Sequence, residues 1–302
     1  MKPRLLFALA ATLIATGLAT AAEKIPGQSY FSTTRYLEYL AGDLPLVITV
    51  PHGGRLTPDA LPKRKKGVMD MDTNTQELAR ALAGELHQRT GGHAHVVFSL
   101  LHRSRLDPNR EIKEAAGGDP GAEQAWREFH AAIEGALKAA VARHGFAFLI
   151  DLHGHAHPIA RLELGYNLGA GHLNQTDADF DTAGLIELST VNDLHRTRGG
   201  SGATLLRGPR SLGALIVERG IRAVPSPAEP GPGPNPFFSG GHITRLHAGG
   251  PATPKVDGVQ IECPRPGIRD TEENRARFAR IVGEALLEFL REHYGFTPAP
   301  KR

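Results

Sequence analysis

Asp151-Leu152-His153-Gly154-His155 places an acid and two imidazoles at alternate positions after the apolar run Phe146-Ala147-Phe148-Leu149-Ile150. A strand ending this way offers those side chains at its carboxyl edge, where open α/β sheets bind ligands. A second such place is Leu46-Val47-Ile48-Thr49-Val50, which runs into Pro51-His52-Gly53-Gly54. Two strands ending in histidine point to a divalent metal held over a sheet edge, with zinc the first choice. A catalytic zinc takes three protein ligands and leaves one position for water. His52 and His153 are the expected imidazole ligands, and Asp70 or Asp72, each just ahead of a helical stretch, the carboxylate. Asp72 would serve equally as the N-cap of that helix. His155 and His157 lie past the expected strand end and read as loop or supporting residues.

Two further runs carry chemistry. Arg103-Ser104-Arg105-Leu106-Asp107-Pro108-Asn109-Arg110 follows a strand, so it falls on the same edge as the histidines. Arginine grips a carboxylate through a two-point fork, and Asn109 adds a neutral donor. Arginine beside a metal can also stabilise a developing oxyanion. Without a site beside it, the run would read as a solvated loop. In Val259–Cys263, strand alternation sets Val259, Ile261 and Cys263 on one face and Gln260 and Glu262 on the other. A glutamate at a strand end near a metal site's water is suited to act as general base; by itself it is a solvated surface acid.

The elements that must hold these residues alternate in type. Residues 45–51 read as a buried strand and 52–71 as a polar loop. Gln76–Arg89 carries Leu78, Ala79, Leu82, Ala83 and Leu86 at helical spacing, stopped by Gly91-Gly92. His95–Leu101 is the next strand. Glu123–His144 is a helix with Gly145 as its C-cap, and strand 146–151 follows at once. Asp181–His195 and Ser211–Gly220 are weaker helical stretches. Pro225–Pro236, with six prolines and two glycines, is a loop that can rim the site. Val256–Cys263 is a strand, and Asp270–His293 is a helix with Asp270 as N-cap and Glu273 at the third position. This β-α-β order predicts parallel strands and right-handed crossovers. The expected architecture is a three-layer α/β fold, a mostly parallel or mixed sheet with helices on both faces. No internal repeat occurs, so residues 23–302 read as one catalytic domain.

The chain has 302 residues, 40% hydrophobic and 22% charged, which suits a soluble globular protein with a sizeable core. Lys2 and Arg4, the apolar run Leu5–Leu18 and then Ala19-Thr20-Ala21 follow the pattern of a secretory signal peptide. That run is about 14 residues, short of the ~20 a span needs, so cleavage after residue 22 and a secreted or periplasmic location are expected. No other stretch could cross a bilayer. Removing the leader takes away two basic residues, and the net charge falls from +3 (35 − 32) to +1 (33 − 32). The basic sequence is therefore no argument for nucleic acid, and Lys63-Arg64-Lys65-Lys66 reads as a solvated loop. The single cysteine, Cys263, excludes an internal disulfide and is expected to be a small buried residue.

Taken together, these motifs resemble the N-formylglutamate amidohydrolase family, relatives of zinc carboxypeptidases and aspartoacylase. Pro51-His52-Gly53-Gly54 resembles the family's Pro-His-(Ser/Gly)-Gly, and Asp72 the acidic position opening its first helix. Arg103, Asp107, Asn109 and Arg110 fit Ser-Arg-x-x-x-Asp-x-Asn-Arg. Asp151-Leu152-His153-Gly154 is similar to Asp-x-His-(Ser/Gly), and Tyr166-Asn167-Leu168-Gly169 to the Asn-Leu-Gly that follows. Asn235-Pro236-Phe237 with Gly240-Gly241-His242-Ile243-Thr244-Arg245 is similar to Pro-Phe-x-Gly-Gly-Tyr-Ile-Thr-Arg, and Gln260-Ile261-Glu262 matches Gln-Ile-Glu. The resemblance covers roughly residues 45–290. It implies a phosphorylase/hydrolase-like, zinc carboxypeptidase-like fold. It also implies zinc ligands His52, Asp72 and His153, Glu262 as base and Arg103 as carbonyl-polarising residue. Asn109 and Arg110 would hold a substrate carboxylate, with Arg245 and Asn167 in support. Arg55 stands where zinc carboxypeptidases carry a glutamate three residues after the first histidine, so the second ligand is assigned to Asp72 over Asp70. His102 stands where the family often has Ser, which makes Arg105 a second candidate for the role of Arg103. The expected activity is exported, zinc-dependent hydrolysis of N-acyl amino acids or short peptides. The alternatives are a zinc carboxypeptidase acting on cell-wall peptides and a non-catalytic zinc- or carboxylate-binding protein.

Overall fold

A computed structural model describes residues 24–298; the expected signal peptide, residues 1–22, lies outside them. Among the described residues, eight strands form one sheet. They are β1 (Ser29–Phe31), β2 (Leu37–Leu40), β3 (Leu46–Val50), β4 (His95–Ser99), β5 (Ala147–His155), β6 (Leu162–Gly165), β7 (Ala223–Val224) and β8 (Val256–Pro264). Their order is β1-β2-β4-β3-β5-β8-β6-β7. β3 runs parallel to β4 and β5, and β5 parallel to β8, as the β-α-β order predicts. β2 and β6 join this centre antiparallel, which makes the sheet mixed.

The helices are α1 (Thr75–Thr90), α2 (Ile112–Ala116), α3 (Pro120–His144), α4 (Ala170–Leu173), α5 (Asp177–Thr182), α6 (Asn192–Arg198), α7 (Gly202–Arg207), α8 (Leu212–Glu218), α9 (His242–His247) and α10 (Glu272–Tyr294). α3 begins where the Asp119 carboxylate accepts from the Ala122 N–H, with Pro120 at its first position. It ends at Gly145, whose φ of 82° suits glycine. Among the described residues, no helix is long and apolar enough to cross a membrane.

Alternation along the central strands sorts the two faces. Leu46, Ile48, Phe148, Ile150, Val259 and Ile261 pack with Leu78 and Leu82 of α1 and Phe278 and Phe289 of α10. Cys263 is buried on this face, and burial pushes its thiol pKa up, so it behaves as a small apolar residue. On the opposite face, Val47, Val97 and Leu149 pack against Phe129, Ile133 and Leu137 of α3. Further along that face the inward residues turn polar: Thr49, Asp151, His153, Gln260 and Glu262, all buried. Register aligns them, with Thr49 beside Asp151, Asp151 beside Gln260, His153 beside Glu262, and Glu262 beside Glu163.

Four sequence expectations need correction. β5 runs to His155, because its pairing with β8 continues to Pro264; His153 and His155 are therefore strand residues. The stretch 181–195 is not one helix. Gly184 takes a left-handed φ of 63°, and α5, a 3-10 turn at Leu185–Leu188 and α6 stand in its place. The N-cap of α10 is Thr271, whose hydroxyl accepts from the Asn274 N–H; Asp270 accepts instead from the N–H groups of Gly267 and Thr271. Within the basic run, Arg64 is buried rather than solvated, because its Nη1 donates to the carbonyls of Val68 and Arg103.

Candidate functional site

His52 follows β3, His153 lies on β5, and Asp72 sits in the loop leading to α1. The His52 Nδ1 is 3.3 Å and the His153 Nδ1 3.5 Å from the Asp72 Oδ2. One donor atom from each of the three residues lies within 4.8 Å of the others, and all three are buried. Asp72 is not the cap of α1; its Oδ2 accepts from the Gly154 N–H at 3.0 Å. Asp70 is exposed.

The far side of each imidazole explains why these nitrogens converge. The Nε2 of His52 is 2.7 Å from the Asp107 Oδ1, and that of His153 is 2.9 Å from the Asp151 Oδ2. A carboxylate at each Nε2 would hold a proton there and turn the Nδ1 lone pair to a metal; the Asn109 Nδ2 also lies 3.3 Å from the His153 Nε2. Asp151 is held in turn by the Thr49 hydroxyl at 2.7 Å. Asp107 also accepts from the Arg103 Nε at 2.9 Å and the Asn109 N–H at 3.1 Å, with the Arg64 Nη1 at 3.8 Å. Burial alone would raise the pKa of Asp72 and Asp107, but the imidazoles against them hold both carboxyls far below the usual range. Burial disfavours a charge on His153, yet Asp151 and Asp72 outweigh it and hold that pKa well above the ordinary histidine value. A divalent cation would displace this proton, so binding is coupled to proton release. Two imidazole nitrogens and one carboxylate oxygen are a donor set that fits a zinc-like ion with an open position.

Glu262 points into the same cavity of about 550 Å³. Its Oε1 accepts from the Gln260 Nε2 at 2.9 Å, and its Oε2 is buried with no hydrogen-bond partner among the described residues. Burial raises its pKa to about 7 despite the neighbouring imidazoles. Arg103, Asn109 and Arg110 also line this cavity. Arg105 does not, because its Nη1 donates to the Leu61 carbonyl. Arg245 is exposed on α9, away from the cavity lining. Asn167, in a left-handed conformation, accepts from the Thr244 hydroxyl and so supports the loop that carries Gly240 and Gly241 to the cavity. Asn109 fixes the start of α9 by accepting from the Ile243 N–H at 2.9 Å. A side chain at Gly241 would run into Asn109 and the Gln260 Oε1.

The orienting roles of Asp107, Asp151 and Arg64 were not readable in the sequence. The i,i+4 spacing of Arg103 and Asp107 was the available signal. His155, His157 and Glu163 form a second group close enough for a metal. Most of their donor atoms are already committed: the His155 Nε2 bonds to the Arg161 carbonyl, its Nδ1 accepts from the His157 N–H, the His157 Nδ1 bonds to Glu163, and Glu163 is bonded through both oxygens.

No protein-family description matches the chain, and neither does any curated protein. Among solved structures it is similar to the N-formylglutamate amidohydrolase from Ralstonia eutropha JMP134. The TM-score is 0.51 at 18% identity, over 86% of this chain and 98% of that one. The chain shares the fold of that enzyme. A gene product of Agrobacterium tumefaciens is also similar, with a TM-score of 0.45 at 14% identity, over 83% of this chain and 92% of that one. The α/β architecture expected from the sequence, a mixed sheet with helices on both faces, is the one observed.

Proposed function

We propose that the protein is an exported, zinc-dependent amidohydrolase acting on N-acyl amino acids or short peptides. The observation that carries this reading is one cavity that holds His52, Asp72 and His153 together with a partnerless buried carboxylate oxygen on Glu262 and the guanidinium of Arg103. A non-catalytic zinc store needs neither of the last two groups. The amidohydrolase name of the neighbour sharing the fold agrees with this assignment. Export rests on the leader pattern of residues 1–22.

His52 Nδ1, His153 Nδ1 and Asp72 would hold the ion, which when bound lowers the pKa of water and offers a Lewis acid to a carbonyl. Glu262 takes a proton from the attacking water through Oε2, the oxygen that Gln260 leaves free. Arg103, steered by Asp107 at its Nε, turns its remaining N–H groups to the oxyanion. Glu262 then gives its proton to the leaving amine. Asn109 and Arg110 bind the carboxylate of the amino-acid product, and Arg110 is kept in place by the Asn109 carbonyl at 2.8 Å.

The test measures metal content and hydrolysis together on mature protein, before and after chelation. The substrates are N-formyl and N-acetyl amino acids and dipeptides. About one zinc per chain, with activity lost on chelation and restored by zinc, is the expected result. Protein that binds no metal would overturn the assignment, and bound zinc without turnover would favour the binding-protein alternative.

A further inference from the structure

The cavity has a wall that hydrolysis of a small acyl group would not use. Glu163 on β6 is fully buried. Its Oε1 accepts from the His157 Nδ1 at 2.9 Å and its Oε2 from the Phe238 N–H at 2.8 Å. Burying a carboxylate is costly unless it is hydrogen-bonded, and here both bonds go to rim residues. One bond fixes the His157 ring and the other the Phe238 backbone, and the two rings are stacked, with centroids 4.5 Å apart and planes 15° from parallel. Both line the cavity, yet Phe238 stays 42% exposed. The rim is braced further by the buried Arg161, whose Nη1 donates to Glu229 in the proline-rich loop at 2.7 Å.

The place of this wall in the sheet decides what it meets. The loop with Arg103, Asn109 and Arg110 follows β4 and crosses over the sheet: Asp107 reaches His52 after β3, and Asn109 reaches His153 on β5 and the start of α9, while Asp72 completes the trio from the loop before α1. His157 follows β5, and Glu163 lies on β6, two strands beyond β5 in the sheet order. With its carboxylate held by that loop, an amide at the trio leaves the wall of His157 and Phe238 in the same cavity to its acyl group. Neighbouring strands lie ~4.8 Å apart, so that side extends on the order of 10 Å from β5. A formyl group is too short to use it. A flat ring is large enough, and a stacked pair of rings fixed edge and face is a platform for it.

We propose that His157 and Phe238 form an acyl subsite for a planar aromatic group, so the preferred substrates are N-aroyl amino acids. This rests on the amidohydrolase reading above. The test compares kcat/KM for N-benzoylglycine, N-acetylglycine and N-formylglycine in the zinc-loaded protein. It also follows direct binding of N-benzoylglycine by calorimetry. The benzoyl substrate should be preferred over acetyl by about ten-fold, the upper end of what a ring contact supplies. Phe238→Ala should cut the benzoyl-to-acetyl ratio by about ten-fold, mainly through KM, and weaken benzoylglycine binding. Phe238→Tyr should restore both. Turnover of formyl and acetyl substrates without benzoyl preference would overturn the subsite and leave the hydrolase reading intact. An equal loss on every substrate in Phe238→Ala would overturn it too, marking Phe238 as merely structural. Phe238-dependent binding of benzoylglycine with no turnover of any amide would keep the subsite and remove the hydrolase reading.

Discussion

Glu262 shows how position sets the chemistry of a side chain. In water it would be ionised well below neutrality; here burial raises its pKa to about 7 and leaves Oε2 without a partner. A base acts in its deprotonated form, so activity should fall as pH drops through that pKa. A divalent cation beside the carboxylate draws the value down, so the acid limb of kcat/KM should lie at or below about pH 7. Glu262→Gln should lower kcat by roughly 10²–10⁴-fold while zinc content stays at the wild-type level, and full turnover in that variant would exclude Glu262 as base. Asp107 acts through His52. Asp107→Asn should weaken zinc binding about 10–100-fold, measured by competition with a chelator, whereas Asp70→Asn, altering an exposed residue, should leave affinity as it is.

At the scale of elements, the pairing of β5 with β8 does most to assemble the site. It runs from Ala147 beside Val256 to His155 beside Pro264 and sets His153 next to Glu262. Gly154 is the tighter of the two glycines in it. A Cβ there would collide with the guanidinium of Arg269, which is fixed by donating to the Cys263 carbonyl at 3.0 Å. The Gly154 N–H also holds Asp72. Gly154→Ala should therefore cost about 1–3 kcal/mol in urea unfolding and also weaken metal binding. A variant with wild-type stability and affinity would show that the strand pair can give way at this point.

Across the whole molecule, the two ends of the central sheet carry opposite demands. At the end away from the site, Asp257 on β8 is buried between the Leu194 N–H and the Tyr294 hydroxyl, and burial raises its pKa to about 7. Between the ordinary carboxyl value of 3.8 and about 7, the folded chain keeps a proton that the unfolded chain releases. Stability should therefore fall as pH rises through that window. Asp257→Asn should flatten this part of the profile, seen as a smaller drop in Tm between pH 5 and pH 8 (both chosen within about one unit of the window). An unchanged slope would place the effect on another group.

Much of the protein was legible in the sequence because its signals are local. The runs Leu46–Val50 and Phe146–Ile150, the spacing of Leu78, Leu82 and Leu86, and the glycine after His144 each follow from a period or a cap, and those strands and helices formed. Alternation alone put Gln260 and Glu262 on the face opposite Val259 and Ile261, and the structure keeps them there. What the sequence could not decide depends on partners far apart in the chain. Arg103 and Arg105 are alike in type and two residues apart; only the fold shows that Asp107 turns one to the cavity and the Leu61 carbonyl draws the other away. Arg64 reads as part of a solvated basic run until the carbonyl of Arg103 closes over it. The strand expected to end at Asp151 continues to His155 because β8 offers it hydrogen bonds, and that extension carries His153 into the site. Composition and period fix which residues are apolar and where the chain turns, whereas the direction of a buried polar side chain is set by the hydrogen bonds it must find, and those come only with the tertiary structure.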